Sequence, residues 1–564
     1  MTRNILKSSL QNASFSIIFQ ILCRCITFGI NAFIVRCVGR DVLGIMNVRL
    51  LLLESTLLFI SKEVFVRSAL SSRTQQNNKS TWPQLINQMW ITVPICFLLS
   101  IPCLYIWLNW LTIVDEMYWE QYKFGCYAIA FACVIEMTAE APILVAQVFC
   151  FVKVKIFFDT LHIFIRSIIF ILLVLWNKNI TIYAFGIAQI CSALTIIIGN
   201  YSFFHIYIHK LIQYRAQLKK NDDKLKLRKQ FGTSYENMDD FPFNSILDMT
   251  PGYLKNSDSY FNSDLQMLVW SFAKQGFLKQ VLTEGEKYVM SVSPVLSFSE
   301  QATYDVVNNL GSLAARFIFR PIEDNSYFYF TQTIARDTQL KDQNITKVSE
   351  AGTVLSNVCK TVTSIGCLGF VFGQSYAGTL LLLYGGAEFV AGGLPEVLLK
   401  WHCLAIVLLA INGITEGYMF ATNTTKEIDT YNYYMAIFSV TFLVLSYQLT
   451  NTFGPVGFIL ANCCNMSFRI AYSLTYIKRQ YKDIDIENPI EKFLPGRLFI
   501  ITLAVTGIVC KLSETRILKY SILYHFLVGI ICVAITVGVW AYENRQLLRI
   551  GIEKYRNRRF SLND

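Results

Sequence analysis

Arg24, Arg49, Arg67, Arg166, Arg316 and Arg320 interrupt runs of sequence that otherwise read as hydrocarbon. A guanidinium presents paired N–H donors at the spacing of two oxygens on one phosphorus, so such a set, held out of bulk water, suits an anionic phosphate or diphosphate group. Carboxylates occur in the same surroundings. Glu136 and Glu140 stand one helical turn apart, Glu63 is in i,i+4 register with Arg67, and Glu416 lies within INGITEGY. Such groups can couple protons to movement or cap a buried hydrogen-bond network. The arginines have a second reading: Arg67, Arg166 and Arg320 lie near the ends of apolar runs, where they can snorkel or pair with Glu63, Asp159 and Glu323 to lock helices. Arg24 and Arg49 sit deeper, which favours anion binding for those two.

These residues need helices to hold them. The stretch from Glu284 to Asp324 carries Asp305, Asn308, Asn309, Arg316 and Arg320 into apolar territory. At 100° per residue Asp305, Asn309, Ser312 and Arg316 fall within about 60° of one another, a polar stripe that cannot face lipid and predicts the lining of a cavity. By the same construction Arg49, Glu63 and Arg67 project within about 40° of each other, and Asp159, His162 and Arg166 align.

Composition fixes the class. The chain has 564 residues, of which 54% are hydrophobic and 16% charged, against roughly a quarter charged in a soluble domain. A net charge of +11 would suit nucleic acid in a soluble chain. Here the basic residues sit between apolar runs, as the orientation rule for membrane loops requires, and nucleic acid is set aside. The 16 cysteines lie largely in apolar runs without CxxC pairs, and the histidines show no HExxH arrangement, so neither a metal nor a cofactor is expected. Asp483-Ile-Asp485 occupies a short loop without a folded domain around it, which argues against an enzyme.

Counting windows of about 20 apolar residues places spans near 11–38, 42–70, 85–111, 122–147, 155–177 and 181–208, then near 263–283, 300–335, 350–373, 395–420, 430–450, 455–477, 497–512 and 520–541. The expected fold is all-α: a polytopic membrane protein of about fourteen transmembrane helices in two bundles, six and eight, around a central cavity. Residues 1–210 form the first bundle, 211–262 a flexible cytosolic linker, 263–542 the second bundle and 543–564 a basic cytosolic tail. The short apolar piece from Gly378 to Gly386 is expected in a connection. Loop charge places both termini in the cytosol.

Several stretches resemble the endoplasmic-reticulum family of oligosaccharide-diphosphodolichol translocation proteins, distant relatives of the multidrug, oligosaccharidyl-lipid and polysaccharide exporters. They are Asn31 to Leu70 (NAFIVRCVGRDVLGIMNVRLLLLESTLLFISKEVFVRSAL), Gly285 to Glu323 with GEKYVM and LSFSEQATYDVVNNLGSLAARFIFRPIE, Leu409 to Ala421 (LAINGITEGYMFA), and Leu445 to Ile470 (LSYQLTNTFGPVGFILANCCNMSFRI). The resemblance implies a two-lobed helical fold with a central cavity in the endoplasmic-reticulum membrane and a role in N-glycan precursor assembly. The implied act is moving the dolichol-diphosphate-linked oligosaccharide from the cytosolic to the lumenal leaflet. Implied partners are that glycolipid, membrane lipids and the N-glycan assembly enzymes. It also marks Arg36, Arg49, Lys62, Glu63, Arg67, Lys153, Glu286, Asp305, Asn309, Arg316, Arg320 and Glu416, without assigned chemistry. Three alternatives stand beside it: a glycolipid-binding accessory protein of the same pathway that transports nothing, a cation-coupled exporter of small molecules, and a membrane glycosyltransferase.

Overall fold

In hydrocarbon every backbone N–H and C=O must find its partner within its own segment, which leaves the helix as the form an apolar chain of this kind adopts. The computed structural model describes residues 23, 25–74, 82–149, 151–220, 241–252, 260, 263–292, 295–336, 338–482, 484, 487–546 and 549, and no β-strand occurs among them. Ten of the described helices are long and apolar enough to cross a membrane. Helices Ser263–Val292, Phe298–Ala314, Arg320–Thr333 and Val456–Gln480 are not among the ten. The chain divides into two compact units, Met1–Pro294 and Val295–Asp564.

The first unit contains α1 (Cys25–Cys37), α2 (Arg40–Leu70), α3 (Trp82–Asn109), α4 (Glu116–Val148), α5 (Lys153–Trp176), α6 (Thr181–Lys220) and α7 (Ser263–Val292). Helix α2 is its hub, packing on α3, α4 and α7. Two π-helical turns interrupt α2, at Ile45–Leu50 and Phe59–Glu63. In the first, the Leu51 N–H reaches back to the Met46 carbonyl instead of the usual i−4 partner. Each such turn holds an extra residue and rotates everything after it, so the straight-wheel alignment of Arg49 with Glu63 and Arg67 does not survive. The boundary expected at 263 also moves, because α7 belongs to the first unit: its Gln280, Glu284 and Tyr288 bond to Ser55 and Thr56 of α2.

The expected flexible linker 211–262 is corrected in two places. Helix α6 continues to Lys220, and residues 241–252 fold back as a strap. Phe241, Phe243 and Met249 are buried in the aromatic core of this unit. Phe243 meets the edge of Trp82 at 5.2 Å, and Phe241 packs on Phe149 at 4.8 Å. The strap's carbonyls at Phe241 and Met249 accept from Arg215 and from the Trp90 indole, at 3.0 and 2.8 Å. Two aromatics in three residues give no period to read, and only tertiary packing reveals them. Phe243→Ala is expected to loosen the strap by about 3–5 kcal/mol, measured as faster protease cleavage within 241–252 while the helices stay protected.

The second unit contains α8 (Phe298–Ala314), a π-helical turn (Ala315–Phe319), α9 (Arg320–Thr333), α10 (Ile345–Val390), α11 (Leu394–Thr422), α12 (Thr425–Phe453), α13 (Val456–Gln480), α14 (Arg497–Arg516) and α15 (Ile522–Glu543). A capping box between Ser297 and Glu300 starts α8. Helix α11 is central here, touching α8, α9, α10 and α13. Close approach depends on Gly413 of α11, where a Cβ would run into Glu323 of α9. The piece from Gly378 to Gly386 is no connection: it continues α10, a helix of 46 residues interrupted only at Gly386, whose φ of 81° suits glycine.

Candidate functional site

Helix α2 carries Glu54, Ser55, Thr56, Lys62, Glu63 and Arg67 into the first unit, and neighbouring helices meet them with polar groups. Lys62, in the second π-turn, places its ammonium 3.1 Å from a carboxylate oxygen of Glu136 and 3.1 Å from one of Glu140. Those two carboxylates flank a 3₁₀ turn, Met137–Ala139, within α4. The cause is local. Pro142 has no N–H to offer the Thr138 carbonyl four residues earlier, and the Tyr201 hydroxyl of α6 supplies the missing donor at 2.8 Å. Tyr201→Phe is therefore expected to cost about 1–3 kcal/mol, read as a lowered unfolding temperature.

About two turns earlier on α2, Glu54 accepts from Gln189 of α6 at 2.6 Å and lies 3.7 Å from Arg166 of α5, while Arg166 donates to Gln189 at 3.1 Å. The three side chains close a triangle. Ser55 donates to Glu284 at 3.2 Å, Thr56 and Tyr288 share a hydrogen bond at 2.7 Å, and Lys287 pairs with Glu284 at 3.3 Å. Arg67 grips Glu63 with two nitrogens, at 2.7 and 2.8 Å. His162 of α5 is tied to Ser192.

Four cations thus line one stretch of the unit, each held by a carboxylate. Lys62, Arg166 and Lys287 are more open to solvent than their partners, whereas Arg67 and Glu63 are equally exposed. Lys62 is 28% exposed and Arg166 25%, whereas Glu140 is 3% exposed. An incoming anion can reach the ammonium and the guanidinium more readily than water can reach the buried acid. A lipid-facing helix would not hold such groups, so this face turns toward the interior of the bundle.

The second unit has a separate cluster. Glu416 of α11 accepts from Tyr431 at 2.6 Å and Asn412 at 3.1 Å and pairs with Arg469 of α13. On α8, Asn309 donates to Asp305 at 3.2 Å. Asp305 is buried and Asn309 exposed, and a π-turn at Ala315–Phe319 shifts the register of the helix that follows it, from Arg320 onward. Arg316 and Arg320 are both exposed, and Arg320 pairs with Asp324 at 3.4 Å instead of Glu323.

Among the sequence-predicted residues, Arg24 lies outside the described residues. Arg49 is a correction. It is fully buried within the first unit, donating to Thr112 while its carbonyl accepts from the Trp107 indole at 3.0 Å, so it ties α2 to the end of α3 and lines no opening. Arg166 pairs with Glu54 rather than Asp159, and Glu63, Glu136, Glu140 and Glu416 are all ion-paired. Sequence reading missed Glu54, Gln189 and Arg469. The depth rule that singled out Arg49 applies equally to Glu54 in LLLESTLL and to Arg469 in NMSFRIAY.

Comparison with known proteins gives a consistent picture. The family model described as Rft protein (Rft-1) matches residues 8–554. The Drosophila melanogaster protein named Man(5)GlcNAc(2)-PP-dolichol translocation protein RFT1 is 58% identical over 551 residues, covering 98% of each chain. The Xenopus tropicalis protein of the same name is 36% identical, covering 97% of this chain and 96% of its own. Among solved structures, the Lipid II flippase MurJ in an inward closed conformation superposes with a TM-score of 0.53 at 14% identity, over 92% of this chain and 99% of that one. That likeness establishes a shared fold.

Proposed function

This chain belongs to the Rft-1 protein family, and from that premise we propose that it moves a dolichol-diphosphate-linked oligosaccharide from the cytosolic to the lumenal leaflet of the endoplasmic-reticulum membrane, with both termini cytosolic. The names of its relatives supply the substrate. The observation that carries the reading to residues is the row of partly exposed, carboxylate-paired cations, Lys62, Arg67, Arg166 and Lys287, in the first unit.

Physics gives the task its shape. A polyisoprenoid tail is at home among acyl chains, while a diphosphate and its sugars are not, so the carrier must shelter the head and leave the tail in lipid. Lys62 and Arg166 are the headgroup ligands in this reading: the guanidinium grips two phosphate oxygens at once and the ammonium acts as a point charge. Their carboxylates keep them oriented when the site is empty. Gln189, Ser55 and Tyr288 stand near enough to the same stretch of α2 to hydrogen-bond sugar hydroxyls. Asp305, Asn309, Arg316 and Arg320 remain candidates on the second unit, and Glu416 a network carboxylate there.

The test is binding to the purified full chain in detergent, by native mass spectrometry, of a short-chain polyprenyl diphosphate bearing N-acetylglucosamine against the same lipid ending in a neutral hydroxyl. Preference for the diphosphate supports the reading. Equal retention of both lipids would refute it. Binding without any leaflet exchange would leave the accessory role.

A further inference from the structure

The arrangement around Lys62 has a consequence for how an anion binds there, resting on the reading that the headgroup is a diphosphate. Lys62 neutralises two carboxylates at once, each at 3.1 Å, and those acids expose only 10% and 3% of their side chains. An anion that takes the ammonium leaves Glu136 and Glu140, both largely shielded from solvent, without the counter-charge they share. The other charges nearby do not replace it. On α5, Lys155 is the remaining cation acting on Glu140, Asp159 adds negative charge, and Arg166 is engaged by Glu54 and Gln189. His162 is occupied by Ser192. From α6 come the uncharged Tyr201 and Asn200, with His205 and His209 exposed. From α3 and α4 come the thiols of Cys96 and Cys133. Two buried carboxylates that share one ammonium lose their counter-charge together, and a proton is the charge small enough to replace it.

We propose that binding of a diphosphate headgroup to Lys62 is coupled to uptake of one proton by the Glu136–Glu140 pair. The ammonium keeps its charge throughout: its two carboxylate contacts break, a contact to a phosphate oxygen forms, and a proton from solution settles between the two acids. Because the bound state holds the extra proton, affinity rises as pH falls, by about tenfold per unit at full coupling. Arg67 and Glu63 show why the effect is local. Both are 37% exposed, so water solvates Glu63 when its partner leaves and no proton is required.

The experiment is isothermal titration calorimetry of the full chain in detergent, at one pH in buffers of different ionisation enthalpy, repeated across pH. The probe is a farnesyl diphosphate ester of N-acetylglucosamine, a diester whose own protons titrate far below neutrality. Uridine diphosphate N-acetylglucosamine, the same linkage without a lipid, is the second arm. The expected result is uptake of about one proton per ligand bound, with the corresponding pH slope. The Glu136→Gln, Glu140→Gln double variant, which keeps Lys62, binds with no uptake and a flat pH profile. Uptake with both probes assigns recognition to the diphosphate itself, and uptake with the lipid probe alone adds a requirement for the tail; either supports the coupling. Binding by the wild type without uptake, or uptake that persists in the double variant, overturns it. If neither diester binds the wild type, the diphosphate reading itself falls and the coupling with it.

Discussion

Lys62→Met is expected to destabilise the protein by about 3–5 kcal/mol, because it strands Glu136 and Glu140 without their counter-charge in a site that water barely reaches. It also removes the ammonium that meets the headgroup, so a binding loss in this variant alone would not separate a ligand from a structural prop. The charge-balanced variant does. Adding Glu136→Gln and Glu140→Gln to Lys62→Met replaces the buried ions by neutral groups of similar volume and is expected to recover most of the lost stability. Diphosphate binding stays lost. Thermal unfolding in detergent and calorimetry on the same preparations give both readouts. A triple variant that binds the diphosphate ester as tightly as the wild type would show that Lys62 serves only to hold helices together.

Arg49→Ala is expected to act the other way round. Its side chain is fully buried, bonded to Thr112, and held beside the Trp107 indole that caps its own carbonyl. Truncation opens a cavity and removes a hydrogen bond at the end of α3, at a cost of about 2–5 kcal/mol. The yield of folded protein falls, and the fraction that folds binds the diphosphate ester within about threefold of wild-type affinity, a difference worth under 1 kcal/mol. Arg49→Lys does not restore stability, since an ammonium cannot reproduce the guanidinium's fixed donor geometry. A folded, stable Arg49→Ala protein that had lost binding would return Arg49 to the list of headgroup ligands.

These two residues also show what the sequence can tell and where it stops. Apolar windows marked the ten helices that are long and apolar enough to cross a membrane, because hydrocarbon leaves the chain little choice of form. Depth in an apolar run correctly marked Arg49 as unusual, but a straight 100° wheel could not say which way it points. The π-turns at Ile45–Leu50, Phe59–Glu63 and Ala315–Phe319 each shift the register, and no residue type announces them. Glu136 and Glu140 were legible as a pair one turn apart, but their partner was not: Lys62 lies on another helix, 74 residues from Glu136 in sequence. The strap at 241–252 was read as linker because its aromatic anchors find their core on Trp82 and Phe149.

The central claim is that this chain itself carries the glycolipid across the bilayer through the charged interior of its first unit. Its most direct test reconstitutes the purified protein into liposomes with the defined dolichol-diphosphate oligosaccharide and follows how much of the glycan an added mannosidase can reach. The account predicts that wild-type protein brings the inner-leaflet pool within reach of the enzyme, while the charge-balanced Lys62→Met, Glu136→Gln, Glu140→Gln protein, equally folded, leaves it protected. Wild-type liposomes whose inner pool stays protected, alongside a positive control that exposes it, would contradict the account.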